Sequence, residues 1–472
     1  MIPKFTVRSI AAMLVAATLT TACQEYQAKP LDLDAHRGEF LARTTEGPAV
    51  AEFAKSIAQD PNLISATDGT FDLSDGLSLR EAEAVAMVFN AQLRIARLRA
   101  GVTKATADTA GLWEDPVVGV DITRILGSSV QPWEVIGGFS LTIPISGRLA
   151  IEKERAGAAH VAEIARVAQD EWIVRMSLRR AWCEWSAIEA RLAANAEYID
   201  RLDQILPIVD KLEKAGEMSR PQARLFRIER ASRSSDVNDL RARVAVVELK
   251  VRRLVGLSPL ATIPLQASGI GAGDLEALDP IESTRGGALR SKLHLTSPLL
   301  IVLRAEYEVA ERTLALEIRK QYPDLKVGPG YGTQDGLEQF ALGLSAPIPI
   351  LNANTQAIAQ AIAERDVSRA SAEAAVEGLV ADIAQAGESL RRARVRSESL
   401  TNEIVPLVDA QFADVRQIAQ LGEVDTLVLL ESLNRQQEAK QSLIDALREE
   451  AFAEIQLREI LGPTIPIKEK NS

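Results

Sequence analysis

Two short stretches of this chain alternate apolar residues with small or polar ones. Phe139, Leu141, Ile143 and Ile145 alternate with Ser140, Thr142 and Pro144. Some two hundred residues on, Leu342, Leu344, Ala346, Ile348 and Ile350 alternate with Gly343, Ser345, Pro347 and Pro349. Period two predicts strands. The two Ile-Pro-Ile triplets, starting at 143 and 348, lie 205 residues apart, and a proline-led strand-like run precedes each, from Pro116 and from Pro323. Most of the remaining chain has helical period. Ile199, Leu202, Leu206 and Val209 fall at 3-4-3 spacing with Leu192 a heptad earlier, the seam of a coiled coil. Hairpins inserted between long helices, twice over, describe an internal repeat.

The pattern divides the chain at definite points. Residues 1–22 read as a signal peptide, and 23–78 as an irregular N-terminal arm rich in Pro and Gly. Repeat 1 covers 79–257. Asp75 or Ser78 caps a continuous helix from Leu79 to about Leu112, with Glu81 completing a capping box after Ser78. Strands follow at about 116–125 and 135–145, then a helix from 147 to Ala215 interrupted by Pro207, a turn at Gly216-Glu-Met-Ser219, and a helix over 220–256. Residues 258–292 are a linker, in which Gly269-Ile-Gly-Ala-Gly273 lacks the Lys-Ser/Thr of a phosphate loop. Repeat 2, 293–462, has a helix over 296–321, strands at about 324–332 and 339–350, a helix over 352–420, a turn at Leu421-Gly422 and a helix to about 461; 463–472 is a tail. Helices of ~68 residues are about 100 Å long at 1.5 Å per residue.

Net charge is −11, and −13 without residues 1–22, which carry Lys4 and Arg8 and no acid. Such a balance argues against nucleic acid as a partner. The apolar run Ile10–Leu19 behind those two cations is too short to span a bilayer and suits a secretory leader. Thr20-Thr21-Ala22 then lead to Cys23, as in bacterial lipoproteins, although the leucine expected three residues before the cysteine stands one place early, at Leu19. Lipidation of Cys23 is the expectation, with a free thiol after ordinary cleavage as the alternative. Past Cys23 no run reaches the ~18 apolar residues of a spanning helix, so any crossing of a membrane must use strands.

Strands of about 9–11 residues have the length a tilted membrane strand needs. On that reading Phe139, Leu141, Ile143, Leu344 and Ile348 face lipid, while Ser140, Thr142, Gly343 and Ser345 face a wet lumen. Trp113, Trp133, Tyr322 and Tyr331 are placed near strand ends, at the membrane interfaces. Alternation alone fits a soluble hairpin packed on helices equally well. Closure separates the two: an open sheet edge is forbidden in lipid, so four strands per chain require three copies and a twelve-stranded barrel.

With these elements in order, residues 79–461 resemble the TolC-like outer-membrane efflux proteins, of the lipoprotein subgroup. The resemblance rests on the proline-led first strand, the Leu/Phe-x-Leu-x-Ile-Pro-Ile second strand entering an alanine-rich helix, and Gly422-Glu-Val-Asp-Thr-Leu-Val-Leu-Leu-Glu-Ser432, similar to the family's tip motif. It implies a mainly α protein with a small β part, trimerising into an α-helical tunnel below a 12-stranded β-barrel. It further implies a passive duct, without enzymatic activity or cofactor, lipid-anchored in the bacterial outer membrane and extending into the periplasm. Its partners would be a periplasmic adaptor, an inner-membrane pump that chooses the exported compound, and outer-membrane lipid. Gly216, Met218, Ser219, Leu421, Gly422, Val424 and Thr426 are then the adaptor-docking tips. Glu431, with Val428, falls nearest the family's acidic constriction, where three carboxylates would attract cations; a solvated residue paired with Lys440 or Arg435 is the plainer reading. Pro221 and a missing double leucine set the first tip apart from the second.

No catalytic or metal constellation is visible. His36, His160 and His294 are scattered, the methionines form no ladder, and Trp172, Trp182, Cys183 and Trp185 suit inter-helix packing on one helix. Two other functions fit part of the pattern: a periplasmic coiled-coil adaptor, which needs a lipoyl-like β segment not found here, and a structural envelope lipoprotein without a pore.

Overall fold

The computed structural model describes residues 26–44, 76–124, 126, 133–262, 264–266, 270, 293, 295–334, 337–420 and 426–463. Helix α1 (Leu33–Leu41) starts at Asp32, whose side chain accepts from the Ala35 amide at 2.8 Å. Ser78 opens the first repeat. Its hydroxyl accepts from the Glu81 amide at 3.3 Å, and the Glu81 carboxylate accepts from the Ser78 amide at 2.9 Å. Helices α2 (Leu79–Phe89) and α3 (Ala91–Thr109) follow, then β1 (Val117–Arg124), β2 (Trp133–Ile143), α4 (Arg148–Ala215) and α5 (Arg220–Val255). The second repeat gives α6 (Pro298–Arg319), β3 (Leu325–Gln334), β4 (Leu337–Ser345), α7 (Thr355–Ser399), a π-helical turn (Leu400–Ile404), α8 (Val405–Gln420) and α9 (Thr426–Leu461).

All four strands form one antiparallel sheet in the order β1-β2-β3-β4, with β1 and β4 as open edges. Near the sheet, α4 packs between α3 and α6, and α6 against α7; farther along, α4 packs between α5 and α9, and α9 against α7 and α8. Apolar clusters are strung along this axis. One gathers Val85, Leu93, Trp182, Trp185 and Val251 in the middle, another Leu202, Met218, Phe226, Phe412 and Leu433 toward the far end. At 68 residues, α4 is about 100 Å long.

The repeat is kept to the residue. α5 and α9 each have 36 residues. Gly256 after α5 and Gly462 after α9 are 206 apart, with φ of +86° and +81°. Both lie where a side chain cannot: a Cβ at Gly256 would collide with the Phe89 carbonyl, and one at Gly462 with the Thr296 carbonyl. In each copy the returning helix therefore ends against the start of the outgoing one.

The structure departs from the sequence reading at several points. The helix expected over 79–112 breaks at Asn90, whose Oδ1 accepts from the Gln92 and Leu93 amides at 2.9 and 3.2 Å and whose Nδ2 donates to the Leu254 carbonyl at 2.7 Å. The side chain thus competes with the backbone and starts a new helix. The irregular arm contains α1, tied down where the Ser258 amide donates to the Arg43 carbonyl at 3.0 Å. Pro207 lies inside α4 without ending it. In the second copy, Pro406 follows the π turn, where the Val405 amide reaches back to the Leu400 carbonyl. Widening the helix accommodates a ring that would strike the carbonyl four residues back. Strand β4 ends at Ser345, so Ile348 is not on the sheet; Pro347 and Pro349 have no N–H for a ladder.

Candidate functional site

Two parts of the molecule can carry function, the sheet and the far helical tips. Register fixes the faces of the sheet. Val118 pairs with Phe139, Ile122 with Val135, Leu141 with Val327, and Val327 with Leu344. With Ile143 and Leu342 these residues form one apolar face across four strands. Within the described residues this face is covered only in part: Val118 is 78% exposed and Leu344 64%, while Leu141, Ile143 and Val327 are half-buried. From Val135 to Ile143 this face runs about 27 Å along the strand.

The opposite face holds Ser140, Thr142, Gly343 and Ser345, as alternation predicted, together with Asp121, Glu134 and Lys326. Across its middle, Gly119 pairs with Gly138, Gly138 with Gly330, and Gly330 with Ala341. That row leaves a band almost without side chains. Sequence reading passed over it because single glycines in a strand signal a bend, and their alignment is a property of register alone.

Trp133 sits at the loop end of the sheet with the Arg124 guanidinium 5.4 Å from its ring. Trp113 and Tyr322 are exposed at the helix end, before β1 and β3. Tyr331 differs from expectation: it lies three residues in from the end of β3, paired with Phe340.

At the first tip α4 ends on Gly216, φ +78°, with the Glu217 amide donating to the Leu212 carbonyl at 3.0 Å. Ser219 opens α5 with Gln222 in a capping box, and Pro221 fits the first turn, where no N–H is needed. Gly216 and Ser219 are exposed. Met218, of the expected docking set, is buried instead: at 4% exposure it is packed among apolar residues that include Phe226 and Leu433. Leu421, Gly422 and Val424 lie outside the described residues, and Thr426 is the first residue of α9. Glu431 is exposed, with Arg435 Nε donating to it at 2.9 Å one turn on; Lys440 pairs with Glu197 instead, at 2.9 Å.

Above the tips a polar network joins four helices. The Tyr198 hydroxyl on α4 donates to Asn434 on α9 and is 3.2 Å from Glu229 on α5. Arg201 donates to Gln436 and stacks 5.2 Å above Phe412, and Gln436 donates to Asp409 on α8 at 2.6 Å. Burial, then the nearby Glu229 charge, pushes the Tyr198 phenol up, keeping it a donor. No local pattern announces this set, which exists only when the two hairpins meet.

The remaining candidates are structural. Trp182 and Trp185 meet edge to face at 5.8 Å, and Trp172 Nε1 donates to the Glu459 carbonyl at 3.1 Å. Burial pushes the Cys183 thiol up to about 11. His160 Nδ1 lies 3.2 Å from the Thr103 hydroxyl. His36 sits near Glu39, and His294 and Cys23 lie outside the described residues. Among the described residues no group of His, Cys, Asp or Glu could hold a metal ion, and no helix is long and apolar enough to cross a membrane.

Comparison with known proteins bears on both parts. Residues 289–463 match the sequence model of the outer membrane efflux protein family. A stretch of 187 residues is 24% identical to the cobalt-zinc-cadmium resistance protein CzcC of Cupriavidus metallidurans, covering 39% of this chain and 45% of that protein. The chain therefore spans less than half the length of this curated relative. In three dimensions it is similar to CusC (TM-score 0.68, 16% identity, 82% of this chain and 92% of CusC). It is also similar to the outer-membrane channel OprN (TM-score 0.67, 16% identity, 94% and 99%). The outer membrane protein VceC of Vibrio cholerae superposes at TM-score 0.64 with 15% identity over 81% of this chain and 96% of VceC. By sequence the chain matches the outer membrane efflux protein family over residues 289–463, and by fold it is similar to CusC and OprN across most of its length.

Proposed function

We propose that this chain is the outer-membrane channel of a tripartite efflux system: a passive duct, not an enzyme, through which compounds expelled by an inner-membrane pump leave by way of a periplasmic adaptor. The two-faced sheet carries this reading. Its partly exposed apolar face suits lipid, its small and polar face suits a water-filled lumen, and its open edges β1 and β4 require other strands. Three copies supply twelve. Phe139, Leu141, Ile143 and Leu344 then face lipid, and the Gly119–Gly138–Gly330–Ala341 row rings the bore. A soluble adaptor or poreless lipoprotein leaves that face without a solvent.

Cys23 is the proposed lipid anchor; mass spectrometry of the mature N-terminal peptide tests it, and an unmodified cysteine removes it while leaving the channel intact. Gly216 and Ser219, with Leu421, Gly422, Val424 and Thr426 at the other tip, are the proposed adaptor contacts, tested by cysteine cross-linking to an adaptor hairpin. Glu431 belongs to a gate only if three copies bring it to the axis; its ion pair with Arg435 favours a surface role. CzcC is by name a cobalt-zinc-cadmium resistance protein. In this proposal the pump, rather than the duct, chooses the cargo. The deciding experiment is single-channel recording of the purified protein in planar bilayers. Stepwise conductance from a detergent-stable trimer supports the proposal, and a monomer without conductance rejects it.

A further inference from the structure

The middle of the bundle holds a layer of buried charge that the proposed duct does not use. Glu83 on α2 accepts from Arg179 Nη2 on α4 at 3.3 Å and lies 3.2 Å from Arg175 Nε. On α9 Arg458 donates to Glu454 one turn back, and Arg394 on α7 lies 3.4 Å from Glu450. Burial is deep: the Arg458 side chain is 7% exposed, Glu454 4% and Arg179 13%. Helices α4 and α9 run antiparallel, with Arg180 meeting Glu459 and Arg191 meeting Asp445. That register puts Arg179 and Arg458 at nearly the same height. Burial, opposed by Glu454 and reinforced by the Arg179 and Arg394 charges, holds the Arg458 pKa below the usual arginine value.

Hydrogen bonding in this layer is incomplete, and mostly in one direction. Arg179 Nη1, Arg458 Nε and Arg458 Nη1 are shut off from solvent and find no acceptor among the described residues. Trp182 Nε1, one turn from Arg179 on the same face of α4, is in the same state. Against these four nitrogens, Glu454 Oε2 is the one oxygen of the three carboxylates without a donor. Charge is unequal in the same sense, with Arg175, Arg179, Arg394 and Arg458 facing Glu83, Glu450 and Glu454. Buried donors are seldom left unmade, and charged ones least of all, so the layer is short of an acceptor that carries negative charge.

We propose that Arg179 and Arg458 hold a small inorganic anion, of the size and charge of chloride, between α4 and α9. Such an ion accepts from several N–H groups at once and brings the single negative charge by which the layer falls short. Water would accept but leave the charge in place. A ligand that binds only the folded chain stabilises it in step with the logarithm of its concentration above Kd. Here it joins α2, α4, α7 and α9 at mid-height, so the middle of the bundle draws stability from the salt around it. The inference stands on the fold alone and does not depend on the channel.

The test uses the full chain in mild detergent, with chloride exchanged for gluconate at constant ionic strength so that screening is unchanged. The parent's unfolding midpoint should rise with each tenfold increase in chloride. Arg179→Met and Arg458→Met should each lose that dependence, whatever they do to the midpoint itself, because the comparison is made within one variant. Arg458→Met with Glu454→Gln removes the pair without stranding a carboxylate and should also be indifferent to chloride. Arg369→Gln, far up α7, should keep the parent's response. Crystals grown in bromide should show an anomalous peak within hydrogen-bonding reach of both guanidiniums. Water in that place, with chloride and gluconate equivalent for the parent, overturns the proposal. A chloride dependence that survives the arginine variants overturns it too.

Discussion

Arg148, in the first turn of α4, donates through Nε to Asp324 at 3.0 Å and through Nη2 to Glu114 at 2.9 Å. One guanidinium thus ties the long helix to the entries of both hairpins, since Glu114 precedes β1 and Asp324 precedes β3. Arginine and aspartate here are each 21% exposed, and Asp324 Oδ1 has no further partner. Arg148→Ala strands a largely buried carboxylate and should cost about 1–3 kcal/mol. Thermal unfolding in detergent measures this. Adding Asp324→Ala should recover part of the loss, because the orphaned charge goes with it; strictly additive losses would show the contact to be unimportant.

On the sheet, Leu141 and Thr142 are neighbours on opposite faces. Leu141→Arg should cost about 2–4 kcal/mol if that face meets the middle of the bilayer, and Thr142→Arg far less. Yield of heat-resistant trimer in outer-membrane fractions is the measurement. Equal impairment by both variants would reverse or abolish the assigned faces.

Gly256→Ala should be far more damaging than an ordinary glycine replacement, since it combines positive φ with a collision against the Phe89 carbonyl. Strained φ alone costs about 1–3 kcal/mol. Gly378→Ala and Gly387→Ala, whose added Cβ atoms meet open space in α7, should be neutral or stabilising by roughly 0.5–1 kcal/mol. Denaturation midpoints separate the two classes, and Gly462→Ala should follow Gly256→Ala.

Cys183 is expected to resist alkylation at pH 8, because burial holds the thiol protonated up to about 11. Labelling rate should climb roughly tenfold per pH unit until that value. In stability the sign is fixed. The folded pKa lies above the reference value of 9.0, so the thiol's contribution is complete below pH 9 and is lost as pH rises toward 11. Cys183→Ala should flatten that alkaline decline; an unchanged decline assigns it to other groups.

The long helices, the paired strands and the turn at Gly216 were legible because each has a local cause. Ser78 and Glu81 cap at fixed spacing, Gly216 supplies the positive φ of a tip, and Phe139–Ile145 alternate. Boundaries failed where a side chain rewrote the backbone, as Asn90 does between α2 and α3, or where proline removed a donor, as Pro347 does after β4. The candidate site was half legible. Face assignment follows from period two, so Leu141 and Thr142 separate at once. The glycine row depends on register between residues two hundred apart, and Tyr198 with Asn434 on the docking of two hairpins. The burial of Met218 was not legible, because a residue two places past a turn glycine can point either way, and the Phe226 cluster turns it inward.

Equal spacing in the two copies acts as a ruler. Gly216 and Gly422 are 206 residues apart, as are Gly256 and Gly462, so outgoing and returning helices match in both halves. A heptad inserted into one helix alone would leave its partner about 10 Å short and push one tip past the other. To lengthen without misaligning its arms, this chain has to gain a heptad in all four at once, roughly 28 residues, with Gly256 and Gly462 still set against the Phe89 and Thr296 carbonyls. Its reach is therefore hard to change by small steps, and in the proposed tripartite assembly a different span would fall to another member.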